Sequence, residues 1–201
     1  MNDIAVSRRD VVELLAAAPF LGTLPFPPAA AQRAARFAQQ ALTDPAQAYE
    51  PKFFTAHEWQ TVRLLADLVI PKDERSGAAT DAGVPEFMDF ILDAYPDNQP
   101  WMRGGLAWLD TECHDRFGKP FLECEAAERA QVLDLIAWPD KAPAALHPGV
   151  AFFNRFRDFT ASGFWSSQMG VADIRYLGNT FVVDWKGCPP EQLKKLGVKY
   201  E

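Results

Sequence analysis

The stretch TAHEWQTVRLLADLVIP, residues 55–71, decides the fold class. Thr55 and Glu58 have the spacing of a capping box, in which a hydroxyl and a carboxylate satisfy backbone N–H groups at the start of a helix. Apolar side chains then recur along one helical face, at Trp59, Val62, Leu65, Ala66 and Val69. Pro71 ends the pattern, because proline cannot continue a helix. The stretch predicts an amphipathic helix with a defined beginning and end.

Four later segments carry the same helical spacing. The first of them begins at Pro85, and the other three cover about 101–117, 125–137 and 150–162. Gly118 suits the left-handed position that follows a helix. The last segment has an aromatic stripe, which fits either a core or the lining of a pocket: Phe152, Phe153, Phe156 and Phe159. We predict an all-α, single-domain bundle of about five helices with an irregular C-terminal tail.

The N-terminal segment has the pattern of an export signal. Ser7, Arg8 and Arg9 precede an apolar stretch over 14–26, and three alanines follow at 29–31. This pattern predicts a twin-arginine signal over 1–31, followed by a linker or loose helix over 32–52 and a folded domain over 53–201. The alternative is an amphipathic arm with a chance arginine pair. Cleavage after Ala31 would make Gln32 the first residue, and retention of the leader is the other possibility.

Composition excludes two classes of protein and leaves cysteine pairing open. The chain has 20 basic and 27 acidic residues, an acidic balance that argues against nucleic-acid binding. Its 48% hydrophobic content argues against disorder. In an exported protein, Cys113 and Cys124 are candidates for a disulfide, because Gly118 and Pro120 allow the chain to turn between them. Three buried thiols, with Cys188 the third, are the alternative.

No catalytic or cofactor motif stands out along the chain. His57, His114 and His147 lie on separate predicted elements, and the histidine and cysteine spacings fit neither a zinc site, nor an iron–sulfur cluster, nor an attached c-type haem. No glycine-rich nucleotide motif follows a strand. Asp67 and the neighbouring carboxylates at 73–74 are better explained as a solvated helix end and loop. We therefore expect no catalytic residue, cofactor or metal in this chain.

The C-terminal tail carries aromatic residues that its few local elements cannot bury. Aromatic anchors of this kind are typical of the energetic centres of protein interfaces. We therefore predict a partner interface formed by Phe164, Trp165, Tyr176, Phe181 and Trp185.

Several stretches in order resemble one family, the small subunit (subunit 3, or gamma) of gluconate 2-dehydrogenase-type flavoprotein dehydrogenases. They include LADLVIP at 65–71, AGVPEF at 82–87, YLGN at 176–179 and GCP at 187–189. The resemblance covers roughly 53–190. It implies that the chain is not the catalyst but the partner of a large FAD-binding subunit of the glucose–methanol–choline oxidoreductase type.

The same resemblance implies a function in export. The large subunit would oxidise a sugar, sugar acid or glycoside, with enzymes that form 3-keto sugars as the nearer branch, and some complexes add a c-type cytochrome. The small subunit would supply the twin-arginine signal, help the flavoprotein mature and stay bound in the periplasm. Contact with the membrane would come only through the complex or an uncleaved leader. The alternative is a stand-alone periplasmic enzyme or ligand-binding module with a Phe-lined pocket.

Overall fold

The structure, a computed structural model, describes residues 26–43, 49–176, 183–184 and 187–199. Over these ranges the regular elements are all helical, which confirms the all-α prediction. The eight α-helices are α1 Pro28–Thr43, α2 Ala56–Val69, α3 Val84–Ala94, α4 Gln99–Phe117, α5 Ala126–Ile136, α6 His147–Ser166, α7 Gln168–Asp173 and α8 Pro190–Leu196. Short 3-10 turns occupy Pro96–Asn98, Phe121–Glu123 and Ala144–Leu146.

The predicted boundary signals of α2 and α4 are present in the structure. The Thr55 hydroxyl accepts a hydrogen bond from the Glu58 N–H, and the Glu58 carboxylate accepts one from the Thr55 N–H at 2.8 Å. Gly118 ends α4 in the left-handed conformation with φ at 74°. The capping box and the C-terminal glycine therefore act as the sequence predicted.

Helix α1 occupies much of the segment predicted as a linker or loose helix over 32–52. Four of its alanines lie on one face and are buried against the bundle, at Ala30, Ala31, Ala34 and Ala38. Alanine favours helix and lets a neighbouring helix approach closely, so this face packs on α3 and α6. Beside it, the half-buried Phe37 ring lies 4.9 Å from the Phe90 ring, centroid to centroid.

The main core is aromatic and joins the start of the described chain to α3 and α6. The Phe26 ring lies 5.6 Å from the Phe159 ring and 6.4 Å from the Phe87 ring, centroid to centroid. On α6, the stripe that fitted a core or a pocket belongs to the core, with Phe152, Phe156 and Phe159 buried. Gly105 of α4 leaves room for the Phe152 ring, because a Cβ there would overlap it.

A buried carboxylate, that of Asp89 on α3, organises the chain that enters α2. Asp89 is fully buried, and its two oxygens accept four hydrogen bonds. The donors are the hydroxyl of Tyr49 at 2.7 Å and the backbone N–H groups of Lys52, Phe53 and Phe54 at 2.8, 3.0 and 3.2 Å. Burial, with Asp89 beside it, raises the pKa of Tyr49 well above its usual range, so the phenol keeps the proton it donates.

None of the helices within the described ranges has the length and apolar character needed to cross a membrane.

Asp89→Ala should destabilise the protein by about 3 kcal/mol or more, because three backbone N–H groups and a phenol lose their acceptor. Chemical denaturation measures the free energy of unfolding. Asp93→Ala, on an exposed position of the same helix, is the matched control and should change it by less than about 0.5 kcal/mol. Equal losses in the two variants would contradict this account of Asp89.

Candidate functional site

The first part of the predicted irregular tail is a short helix, α7, held against the end of α6. Ser167 begins it: the Ser167 hydroxyl donates to the Phe164 carbonyl at 2.6 Å and accepts from the Gly170 N–H at 3.0 Å. Gly170 lies so close to α6 that a Cβ there would overlap the Phe164 carbonyl oxygen. The tail was expected to be irregular, and this expectation was wrong here because the cap and the close contact specify a helix.

The loop after α2 fixes the other side of α7. The Asp73 carboxylate accepts hydrogen bonds from the N–H groups of Arg75 and Ser76, both at 2.8 Å, and these bonds lower the pKa of Asp73. The ordered loop directs the Arg75 guanidinium to Asp173, where it forms an ion pair at 2.9 Å and also donates to the Asp173 carbonyl. Helix α7 is thus tied both to α6 and to the loop.

The outer surface of α7 is apolar. Val171 and Ile174 are three residues apart and therefore share a face, and Tyr176 follows the helix. Their exposed fractions are 36%, 48% and 42%. We call these three residues the α7 patch. Helices that pack only within one chain seldom leave three neighbouring apolar side chains this open to solvent, so the patch is the best candidate for a docking surface.

The five predicted interface residues have different positions. Tyr176 belongs to the α7 patch. Trp165 is half-buried, with its ring edge-on to Phe164 at 5.8 Å. Phe164 is a correction: it lies in the core with 1% of its surface exposed, because α7 folds back over the end of α6, and it cannot contact a partner. Phe181 and Trp185 lie outside the described residues.

Sequence reasoning missed Val171 and Ile174. Their spacing was a usable signal only together with the cap at Ser167, which marks where the next helix begins. Farther along, α8 begins at Pro190, in a stretch that was expected to be irregular; that expectation was also wrong, because proline is well suited to the first turn of a helix. The twin-arginine residues Ser7, Arg8 and Arg9 lie outside the described residues.

Gly170→Ala should weaken the attachment of α7, because the new methyl group meets the backbone of α6 rather than a movable side chain. We expect a loss of about 1–3 kcal/mol in the free energy of unfolding. Gly104→Ala is the matched control, since that glycine is helical and has open space around it. The substitution at Gly104 should instead be neutral or stabilising. A Gly170 variant as stable as its control would contradict the observed packing of α7.

The cysteines proposed to pair are neighbours in the core. Cys113 on α4 and Cys124 after the 121–123 turn are both buried thiols, and the Cys124 thiol donates to the Lys119 carbonyl at 3.8 Å. Burial, with Cys124 beside it, raises the pKa of Cys113 to about 12. The thiolate is the reactive form, so Cys113 is a poor nucleophile at neutral pH. The disulfide remains a prediction, and the geometry places its two members together.

Refolding of the denatured chain in the presence of oxidised glutathione should join Cys113 to Cys124, because the thiols are accessible until the core that buries them has formed. Glutathione disulfide takes the two electrons and two protons that the thiols release. Peptide mapping without reductant would detect the link, and the bond should add about 2–3 kcal/mol to the free energy of unfolding for so short a loop. Cys188→Ser serves as the control and should form the same link. A linked peptide that contains Cys188 instead would exclude the proposed pairing.

His57 and Asp67, which were weighed as catalytic candidates, have structural partners. His57 Nε2 lies 2.6 Å from Asp110 Oδ2, while Asp110 Oδ1 accepts from the Phe121 N–H at 3.0 Å, so this pair joins α2, α4 and the following turn. Asp67 accepts from the backbone N–H and hydroxyl of Thr80 at 2.8 and 2.9 Å. Among the described residues, no group of three or more histidines, cysteines or carboxylates is arranged to hold a metal ion.

A comparison with protein families agrees with this architecture. The family model described as gluconate 2-dehydrogenase subunit 3 matches residues 56–184, more than half of the chain. The match begins with α2, directly after the capping residue Thr55, and extends beyond the α7 patch. No curated protein and no solved structure is similar enough to the chain to count as a match.

Proposed function

The chain belongs to the gluconate 2-dehydrogenase subunit 3 family, the small subunit of a dehydrogenase complex, and we propose that it is a non-catalytic one. Its partner would be a large FAD-binding flavoprotein of the glucose–methanol–choline type that oxidises a sugar, sugar acid or glycoside in the periplasm. The FAD would therefore lie in the partner. A c-type cytochrome subunit would accept electrons in those complexes that contain one.

The α7 patch carries this proposal. Three apolar side chains stay exposed on α7 and the residues directly after it, and Ser167, Gly170 and the Arg75–Asp173 ion pair fix this helix in place. A rigid apolar surface loses little conformational entropy on binding, so more of the contact energy contributes to affinity. Trp165, at the end of α6, precedes the patch in sequence, and Phe181 and Trp185 follow it, which would extend the interface along the tail.

Obligate interfaces between subunits bury more than about 2,000 Å² and are rather apolar. Three side chains cannot supply that area alone. We therefore propose that the α7 patch is the ordered centre of the interface and that the tail beyond Tyr176 continues it. A partner joined in this way would be carried with the small subunit, because the twin-arginine route transports folded proteins and one signal could serve both chains.

Replacing Ile174 and Tyr176 together by serine should lower recovery of the flavoprotein at least about tenfold, because losses of this size follow from removing apolar anchors at an interface centre. The experiment is co-expression with the large subunit, purification through a tag on this chain, and measurement of flavin absorbance per mole of small subunit. Trp138→Ser, an exposed aromatic residue on the loop after α5, is the matched control and should retain the partner.

Thermal unfolding of each variant, without the large subunit, separates docking from stability. Ile174, Tyr176 and Trp138 are all exposed, so their replacement should leave the melting temperature nearly unchanged. Full flavin recovery with the double variant would overturn the assignment of the α7 patch. A chain that recovers no flavoprotein even without substitutions would overturn the proposed function itself.

A further inference from the structure

The bond that cleavage after Ala31 would cut, Ala31–Gln32, lies inside helix α1. The helix begins at Pro28, and the Ala30 N–H already donates to the Pro27 carbonyl at 2.8 Å. Ala31 is buried, with 2% of its surface exposed. Proteases act on exposed, flexible segments, so cleavage here requires the first turns of α1 to unfold and leave the core.

The residues before this bond contribute to the core. Phe26 is buried between the rings of Phe87 on α3 and Phe159 on α6. Ala30 and Ala31 begin the alanine face that packs on the same two helices. Removal of everything up to Ala31 would leave a cavity the size of a phenylalanine side chain and shorten α1 by a full turn. Phe26 and the residues up to Ala31 therefore belong to the folded body.

We infer that the Ala31–Gln32 bond is not a processing site and that the working protein retains the chain from Phe26 onward, with any cut made upstream of that residue. The inference rests on the proposed export in one respect only, namely that a signal peptidase meets the chain at all. It assigns the segment 26–31 to the small subunit itself, as a structural part of the helical body.

The first test is the N-terminus of the protein isolated from the periplasm of its host, by intact mass and by sequencing of the terminal peptide. We expect a chain that begins at or before Phe26, full length included. A chain that begins at Gln32 would overturn the inference. Replacing Arg8 and Arg9 by lysine tests the export route separately, because the substituted chain should stay in the cytoplasm. If the unsubstituted chain also stays in the cytoplasm, the export proposal fails, and the second test alone decides the inference.

The second test needs no export. Arg33 and Arg36 are exposed on α1 just after the bond in question, so trypsin reports whether this part of the helix opens. In the purified full-length chain, cleavage after Arg33 should be at least about a hundredfold slower in buffer than in urea, as expected for a helix docked on the core. Cleavage in buffer at the rate seen in urea would overturn the inference.

Two variants make the trypsin test specific for the Phe26 contact. Phe26→Ala should speed cleavage after Arg33 about tenfold or more and lower the melting temperature by several degrees, because the aromatic contacts with α3 and α6 are lost. Gln40→Ala, on the exposed face of the same helix, should change neither quantity. Unchanged cleavage of the Phe26 variant would mean that the segment is not part of the folded body.

Discussion

The carboxylate of Asp89 is the constraint on which the N-terminal half of the bundle depends. Its hydrogen bonds fix the backbone at 52–54, and this segment places Thr55 where it can begin α2. The same segment attaches α4, because Arg103 donates to the Phe53 carbonyl at 2.9 Å and lies over the Phe53 ring at 4.6 Å. A single buried acceptor thus sets the relative positions of three helices.

Local signals in the sequence predicted the middle of the fold well. The capping box at Thr55 and the glycine after α4 act through neighbouring residues, so their outcome does not depend on the rest of the chain. Helix α1 was left open between a linker and a loose helix because its buried residues are alanines, whose contribution appears only when another helix approaches them closely. The structural role of Asp89 could not be predicted either, because its carboxylate oxygens accept hydrogen bonds from backbone N–H groups more than thirty residues away in sequence.

The sequence indicated only part of the candidate interface, because the exposure of each side chain depends on how the chain turns at Ser167. An aromatic-rich tail indicated a docking surface, and exposed Tyr176 agrees with that indication. Burial of Phe164 and exposure of Ile174 both follow from the turn at Ser167, which reverses the chain over the end of α6. Hydrophobicity alone cannot distinguish these two residues, because each is a large apolar side chain in the same stretch. The direction of the chain after the cap decides which one faces solvent.

The contact between Phe26 and Phe159 has a consequence for the order of events during synthesis. One ring lies just before α1 and the other on α6, so the N-terminal residues leave the ribosome long before their partner exists. Contacts between distant parts of a chain form late, since the entropy of closing the intervening loop must be overcome first. The docking of Phe26 and α1 can therefore be completed only after α6 has been translated.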